Sequence, residues 1–286
     1  MKLKNYFQLL FTAALWGSSF LMIKYALQEL SEFDIALYRI LLPAFVLNLI
    51  YREKISVEKE DYKYFIILGI IYMILPFFLF ALAEKTITSA LAGLINGSTP
   101  IFVALIAIIF YKEKVTHLQK ILILTGFFGV IVLSLGEQSN LSGSTEGVLY
   151  ALGASICYGV AINMVQPLLK KYTPVGALKI LLRSASLFSL LLLGPFSTWS
   201  TPSLSISFFP LLLLGLGSSG FAFLSFYSLV DDVGAVLGSV TVNIMPIFSI
   251  IFGYFFLNEI TSVLQLIGVS IVVISAFFFT RIKESR

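Results

Sequence analysis

The 286-residue chain is 58% apolar and 12% charged, where soluble domains run at roughly 45–50% and about 25%. With a mean hydropathy of +0.98, this excludes a soluble globular protein and makes the bilayer the solvent. The net charge of +4 sits in short loops between apolar runs, so it reports topology and not a nucleic-acid partner.

A spanning helix needs about 20 mainly apolar residues, and ten such windows follow one another. The opening MKLKNYFQLLFTAALWG has the basic front and apolar run of a signal peptide. Its apolar run continues to about Leu27 with no A-x-A-like site, which predicts a first span over about 6–27. The next four spans are predicted over about 33–51, 63–83, 88–111 and 117–136. Five more follow over about 147–167, 174–195, 207–229, 234–257 and 262–281. Lys2 and Lys4 precede the first span, and Arg52, Lys54, Lys59, Lys63, Lys112, Lys114, Lys120, Lys170 and Lys171 flank the even-numbered connections. The stretches EQSNLSGSTE and STWSTPSLSIS, between odd-numbered and even-numbered spans, hold no basic residue. By the positive-inside rule both termini are expected in the cytoplasm, in a bacterial inner membrane. The single cysteine, Cys157, permits no intramolecular disulfide. The single histidine, His117, excludes a His-rich metal site, and no cofactor is expected.

Sliding residues 89–121 onto 235–267 reveals a repeat. Pro100-Ile101-Phe102 falls on Pro246-Ile247-Phe248, Phe110-x-x-Glu113 on Phe256-x-x-Glu259, and Leu118-Gln119-x-Ile121 on Leu264-Gln265-x-Ile267, all in one ungapped register. A weaker match joins Trp16-Gly17 to Tyr158-Gly159, and the match between the third and eighth spans is faint. Five spans per half is an odd number, so the second half enters the membrane from the opposite side. The expected fold is therefore all-α and membrane-integral, with ten helices as two inverted-topology repeats at 1–137 and 147–282. Inverted repeats belong chiefly to transporters that expose one site to alternate sides.

Trp16-Gly17-Ser18-Ser19-Phe20 with Lys24, the run ALAEKTITSALAGLINGSTPIFVALIAIIFYKEK and the second copy ending FFLNE resemble the drug/metabolite transporter superfamily, EamA type. The resemblance covers essentially the whole chain. It implies a central cavity lined by the first, third, fourth, sixth, eighth and ninth helices, with the fifth and tenth as scaffold. Relatives move amino acids, nucleosides, sugars, vitamins and other metabolites, so the resemblance is weak on substrate. Tyr158 standing where the first half has Trp16 is a departure from exact repetition.

Pro100 and Pro246 fall near the middle of their spans, and each frees a carbonyl about one turn earlier, near Asn96 and near Val242. Such a carbonyl needs a partner or a wet cavity, so the two prolines read as cavity-lining hinges or as static kinks. Ser89, Gly93 and Asn96 share a stripe with Pro100, as Ser239 and Asn243 do with Pro246. Asn96 and Asn243 are thus candidates for the cavity wall, or for polar glue between helices. Trp16, Ser18, Ser19, Tyr72, Tyr158, Asn163, Ser218, Ser219, Phe223 and Tyr227 complete the polar and aromatic set expected of a ligand site. Among intramembrane charges, Arg183 is the deepest and is a candidate for binding an anionic group. Lys24 and Arg39 are possible anion contacts that can also snorkel outward, Arg39 towards Glu32 or Asp34. Glu113 and Glu259 are expected to favour the positive ends of the helices that follow them.

No acid falls in the middle of a predicted span, Glu84 and Asp231-Asp232 lying near the interfaces. This favours facilitated or exchange transport over a carboxylate-driven proton pump, and it disfavours an enzyme. The reading is a monomeric or weakly dimeric transporter in the lipid bilayer, exporting small amphipathic metabolites, amino acids first. Import of another metabolite such as a nucleoside, a vitamin or an S-adenosylmethionine-like compound is an alternative, and a channel or scaffold a remoter one.

Overall fold

A computed structural model describes residues 2–52, 55–112, 116–136, 141–233 and 240–282, with the side chains of 141–144, 240, 280 and 281 excepted. The described residues form helices and connections and contain no strand. Eight helices are long and apolar enough to cross a membrane: α1 Leu3–Ala26, α2 Glu32–Ile50, α3 Tyr62–Ala83, α4 Ser89–Tyr111, α5 His117–Leu135, α6 Thr145–Leu169, α7 Pro174–Leu192 and α8 Phe208–Val233. Two shorter apolar helices follow, α9 Thr241–Leu257 and α10 Val263–Phe279. Glu113 and Ser239 lie outside the described residues.

The repeat is visible in the caps. Thr116 accepts from the Gln119 amide at 3.2 Å while the Gln119 side chain accepts from the Thr116 amide at 2.9 Å. Ser262 and Gln265 form the same reciprocal pair at 3.2 and 2.9 Å, 146 positions later. These capping boxes start α5 and α10 and give the Leu-Gln match a physical cause. At the other end of the preceding connection, Lys112 and Asn258 close α4 and α9 in the left-handed region, at φ 55° and 54°.

The third and eighth helices, faintly matched in sequence, share a feature that side-chain identity does not report. Each carries a π-helical stretch, Gly69–Ile74 in α3 and Leu213–Phe221 in α8. Gly69 and Gly215 are related by the same offset of 146. The two prolines, by contrast, act differently. The fourth helix is broken at Gly97 and Ser98 into Ser89–Asn96 and Thr99–Tyr111, with Pro100 in the first turn of the second piece. Pro246 sits inside an unbroken helix. The broken end is satisfied locally, because the Ile95 carbonyl accepts from the Ser98 amide at 2.9 Å and the Ser98 hydroxyl at 2.6 Å. The two sites meet: a Cβ placed on Gly97 would lie 2.6 Å from Pro246 Cγ.

Neither half packs as a unit. Helix α1 of the first half lies on α9 of the second, α6 of the second lies on α4 of the first, and α5 pairs with α10. The first two contacts use matched glycines. A Cβ on Gly17 would stand 2.5 Å from Phe248 Cβ, and one on Gly159 would stand 2.8 Å from Phe102 Cβ. The Trp16-Gly17/Tyr158-Gly159 and Pro-Ile-Phe matches are therefore two copies of one helix crossing, with the glycine letting the backbones approach.

Connections tie the bundle at both ends. On the face that carries the N-terminus, Lys171 pairs with Glu58 at 2.9 Å and Asp61 at 3.2 Å, and Lys4 pairs with Asp232 at 3.2 Å. On the far face, the segment 197–207 is held by two acids. Asp34 accepts from Thr198 Oγ1 at 2.6 Å and the Trp199 amide at 3.0 Å, and also from Ser197 Oγ. Glu29 accepts from the Ser203 amide at 3.1 Å and from the Ser203 and Ser207 hydroxyls. These hydroxyl donors hold the Glu29 carboxyl below its ordinary pKa.

Candidate substrate cavity

A cavity of about 50 Å³ lies between α1, α2, α3, α4, α6, α8 and α9. It shares Tyr72, Thr99, Ile162, Phe226 and Val242 with a wider vestibule of about 300 Å³. The vestibule runs past Ala107, Leu169 and Val230, the ends of α4, α6 and α8 on the N-terminal face. The central space has room for only a few waters. The conformation is thus wide towards the N-terminal face and narrow at the centre.

Aromatic rings form much of the central wall. Trp16 stands 5.0 Å from Phe226 and 5.4 Å from Phe223, and Tyr72 stands 5.5 Å from Phe223 and 5.8 Å from Tyr158. The Trp16 indole donates to the Ser218 carbonyl at 3.1 Å, inside the α8 π-helical stretch, and so fixes its ring to that irregular backbone. Tyr72 comes from the matching stretch of α3. The two π-helical turns, a feature frequent at functional sites, therefore bear directly on the cavity wall.

Arg39 is the charged group of this wall. It is 4% exposed, so it does not snorkel. Its Nε donates to Ser219 Oγ at 3.1 Å, and its guanidinium carbon lies 3.9 Å from the Phe77 ring centre. No carboxylate lies within ion-pair distance among the described residues, and Glu32 pairs with Lys85 at 2.5 Å instead. The guanidinium is therefore fixed from behind by a hydroxyl and an aromatic face, with its charge directed at the cavity.

Of the residues singled out in the sequence, Trp16, Ser19, Tyr72, Asn96, Tyr158 and Phe223 line the central cavity. Asn163, Tyr227 and Pro100 line the vestibule. Ser19 spends its hydroxyl on the Trp16 carbonyl, and Asn96 accepts from Thr99 Oγ1 at 3.0 Å. Asn163 donates to the Val103 and Gly159 carbonyls at 3.0 and 2.9 Å, binding α6 to α4. Ser219 stands behind Arg39, and Ser18 faces a lateral groove.

Three placements correct the sequence reading. Arg183 lies exposed on the bundle surface and donates to Asn48 Oδ1 at 2.5 Å, because its face of α7 looks away from the cavity. Lys24 lies beyond the cavity, donating to the Glu84 carbonyl. Asn243 is buried off the cavity, and among the described residues its Oδ1 has no partner. Val242 occupies the wall instead, as the repeat register that pairs Asn96 with Val242 indicates. That register is the signal in the sequence that points to Val242. Phe20, Phe80, Thr99, Ile162, Phe226 and Met245 were missed, since nothing in an apolar run marks which ring or methyl faces inward.

Glu259 supplies a fourth correction. Its carboxylate accepts from the Ser89 and Ala90 amides, each at 2.9 Å, and from Ser89 Oγ at 2.8 Å. It thus caps α4, in the other half, and not the helix that follows it. The Thr88 hydroxyl takes the next amide, Leu91, at 3.2 Å.

An apolar ten-helix bundle with a cavity open to one face is the build of an integral membrane transporter. The EamA-like transporter family model matches twice, over residues 3–135 and 145–281, and the chain belongs to that family. A transporter from Archaeoglobus fulgidus is 25% identical over 98% of this chain and 99% of its own length. The Bacillus subtilis transporter YoaV is 22% identical over 93% of both chains. Human solute carrier family 35 member G1 is 23% identical over 89% of this chain and 72% of its own. The fold is also that of a protein of known crystal structure, with a TM-score of 0.65 over 96% of both chains at 18% identity.

Proposed function

We propose that the protein carries small amphipathic metabolites with a negatively charged group, amino acids first, through the central cavity by alternating access. The observation that carries this reading is Arg39. A guanidinium desolvated with no carboxylate in ion-pair range among the described residues costs several kcal/mol, and an anionic substrate group entering the cavity offsets that cost. The rings of Trp16, Tyr72, Phe223 and Phe226 supply the apolar surface for the rest of the molecule. The basic loops support a cytoplasmic N-terminal face, which makes the vestibule a cytoplasmic entrance; the reading adopted is export from a bacterial cell, with the chain acting as a monomer or weak dimer.

The test is a radiolabelled metabolite panel on proteoliposomes, with Arg39→Gln, Arg39→Lys and Asn96→Ala beside wild type. A charge-assisted hydrogen bond contributes about 1.5–3 kcal/mol, so Arg39→Gln lowers transport of the anionic substrate by roughly 10-fold to 150-fold. Arg39→Lys recovers part of it, because the charge remains without the planar fork. Normal transport by Arg39→Gln would overturn the substrate class.

A further inference from the structure

The far-face ends of α1, α3, α4 and α9 converge on a group that transport through the cavity does not use. Glu84 follows α3 directly and is 1% exposed, and among the described residues neither carboxyl oxygen has a hydrogen-bond partner. Its own carbonyl is taken by Lys24 Nζ, from the last turn of α1. Beside it, the Glu259 carboxylate pins the end of α9 to the start of α4. The charged groups that bear on Glu84 are Lys24 from α1, Arg39 from α2 and Glu259. Helix α6 packs on residues 83–87 through Gly147, and there Glu146 is exposed and accepts from Tyr150 at 2.6 Å. The neighbouring Lys85 is spent on Glu32.

A carboxylate without donors in such a place is held in the wrong ionisation state, since burial penalises the charged form. Desolvation is the largest influence on Glu84 and pushes its carboxyl well above the usual carboxylate range, with Glu259 adding to it and Lys24 and Arg39 opposing. The sequence placed Glu84 near an interface; the tertiary structure buries it where the far-face ends of α1, α3, α4 and α9 meet.

We infer that Glu84 is a proton-binding site of the far-face gate, occupied while α1, α3, α4 and α9 are drawn together and emptied when they part and water reaches it. The sign follows from linkage: the closed gate binds the proton more tightly, so acid favours closure and rising pH favours opening. Between the closed-state and open-state values, the gate equilibrium shifts by up to tenfold per pH unit. This rests on alternating access but not on the substrate class.

The experiment needs no substrate. Spin labels at Gln28→Cys and Leu149→Cys, in a Cys157→Ser background in lipid nanodiscs, report the far-face separation of α1 and α6 by electron–electron distance measurement from pH 5 to 9. Wild type gains a longer-distance population as pH rises. Glu84→Gln, permanently neutral, keeps the short distance throughout. Lys24→Met, which removes the cation opposing protonation, moves the wild-type midpoint to higher pH and tests the site even where Glu84→Gln does not fold. A wild-type distribution independent of pH, a Glu84→Gln profile like wild type, or an unmoved midpoint in Lys24→Met would each overturn the assignment.

Discussion

Removing the Glu259 carboxylate tests whether the two halves are joined by a helix cap. The N-terminal piece of α4 is only eight residues long, because the chain breaks at Gly97. A helix that short is marginal on its own, so its amide ends must be satisfied from outside. Glu259 takes the amides of Ser89 and Ala90 and the Ser89 hydroxyl, and Thr88 takes the amide of Leu91. Losing an N-cap hydroxyl costs about 1 kcal/mol, which is the expected effect of Thr88→Ala. Glu259→Ala strips two backbone amides of a charged acceptor, at about 1.5–3 kcal/mol for one such bond. Partial replacement by water brings the expected total to about 3 kcal/mol. Glu259→Gln keeps an acceptor but loses the favourable charge at the helix start, a cost of about 1–2 kcal/mol. Equilibrium unfolding in mixed micelles, followed by circular dichroism, orders the variants as Ala worse than Gln worse than wild type. If Glu259→Ala cost no more than Thr88→Ala, the cap would not be what holds α4.

Three further outcomes are expected. Gly17→Ala and Gly159→Ala each lose about 1–3 kcal/mol by forcing apart a backbone crossing, while Gly153→Ala, whose Cβ would meet Leu79 Cδ1 at 3.5 Å, stays within about 0.5 kcal/mol of wild type in thermal unfolding. Arg183→Gln transports like wild type in proteoliposomes, and a loss as large as that of Arg39→Gln would place the cavity wrongly. Asp61 is held below its ordinary pKa, chiefly by the Tyr172 hydroxyl at 2.7 Å and also by Lys171; its contribution to stability is present above the unfolded carboxylate pKa and lost as pH falls through the lower folded value. Asp61→Asn therefore flattens the acid limb of an unfolding titration, and an unchanged limb would show that this cluster does not carry it.

Much of the architecture was legible along the chain, for reasons that differ by residue. The spans followed from hydropathy, because lipid offers the backbone no alternative partner. The matches at Pro-Ile-Phe, Trp-Gly and Leu-Gln were readable because each serves a local device that needs particular residue types. These are two crossings that need glycine and two caps that need a hydroxyl and an amide. The π-helical stretches were not readable, since they depend on how α3 and α8 are held by their neighbours and leave no shared side chain behind. The charges misled for a related reason. Depth in a span separates Arg183 from Arg39 in the expected order, but their direction around the helix reverses it.

By itself, the sequence determined that this chain is a ten-helix inverted repeat in a membrane, because apolar length, charge asymmetry and register are properties of the chain taken alone. Only the tertiary structure decided that Arg39 faces the cavity and Arg183 does not, that Val242 takes the place expected of Asn243, and that Glu259 caps a helix of the other half. Those outcomes depend on which faces of α1 and α9, of α4 and α6, and of α2 and α8 are turned to each other. In a bundle where both lipid and protein interior are apolar, hydrophobicity does not select those faces; close packing at glycines and the pairing of buried polar groups do.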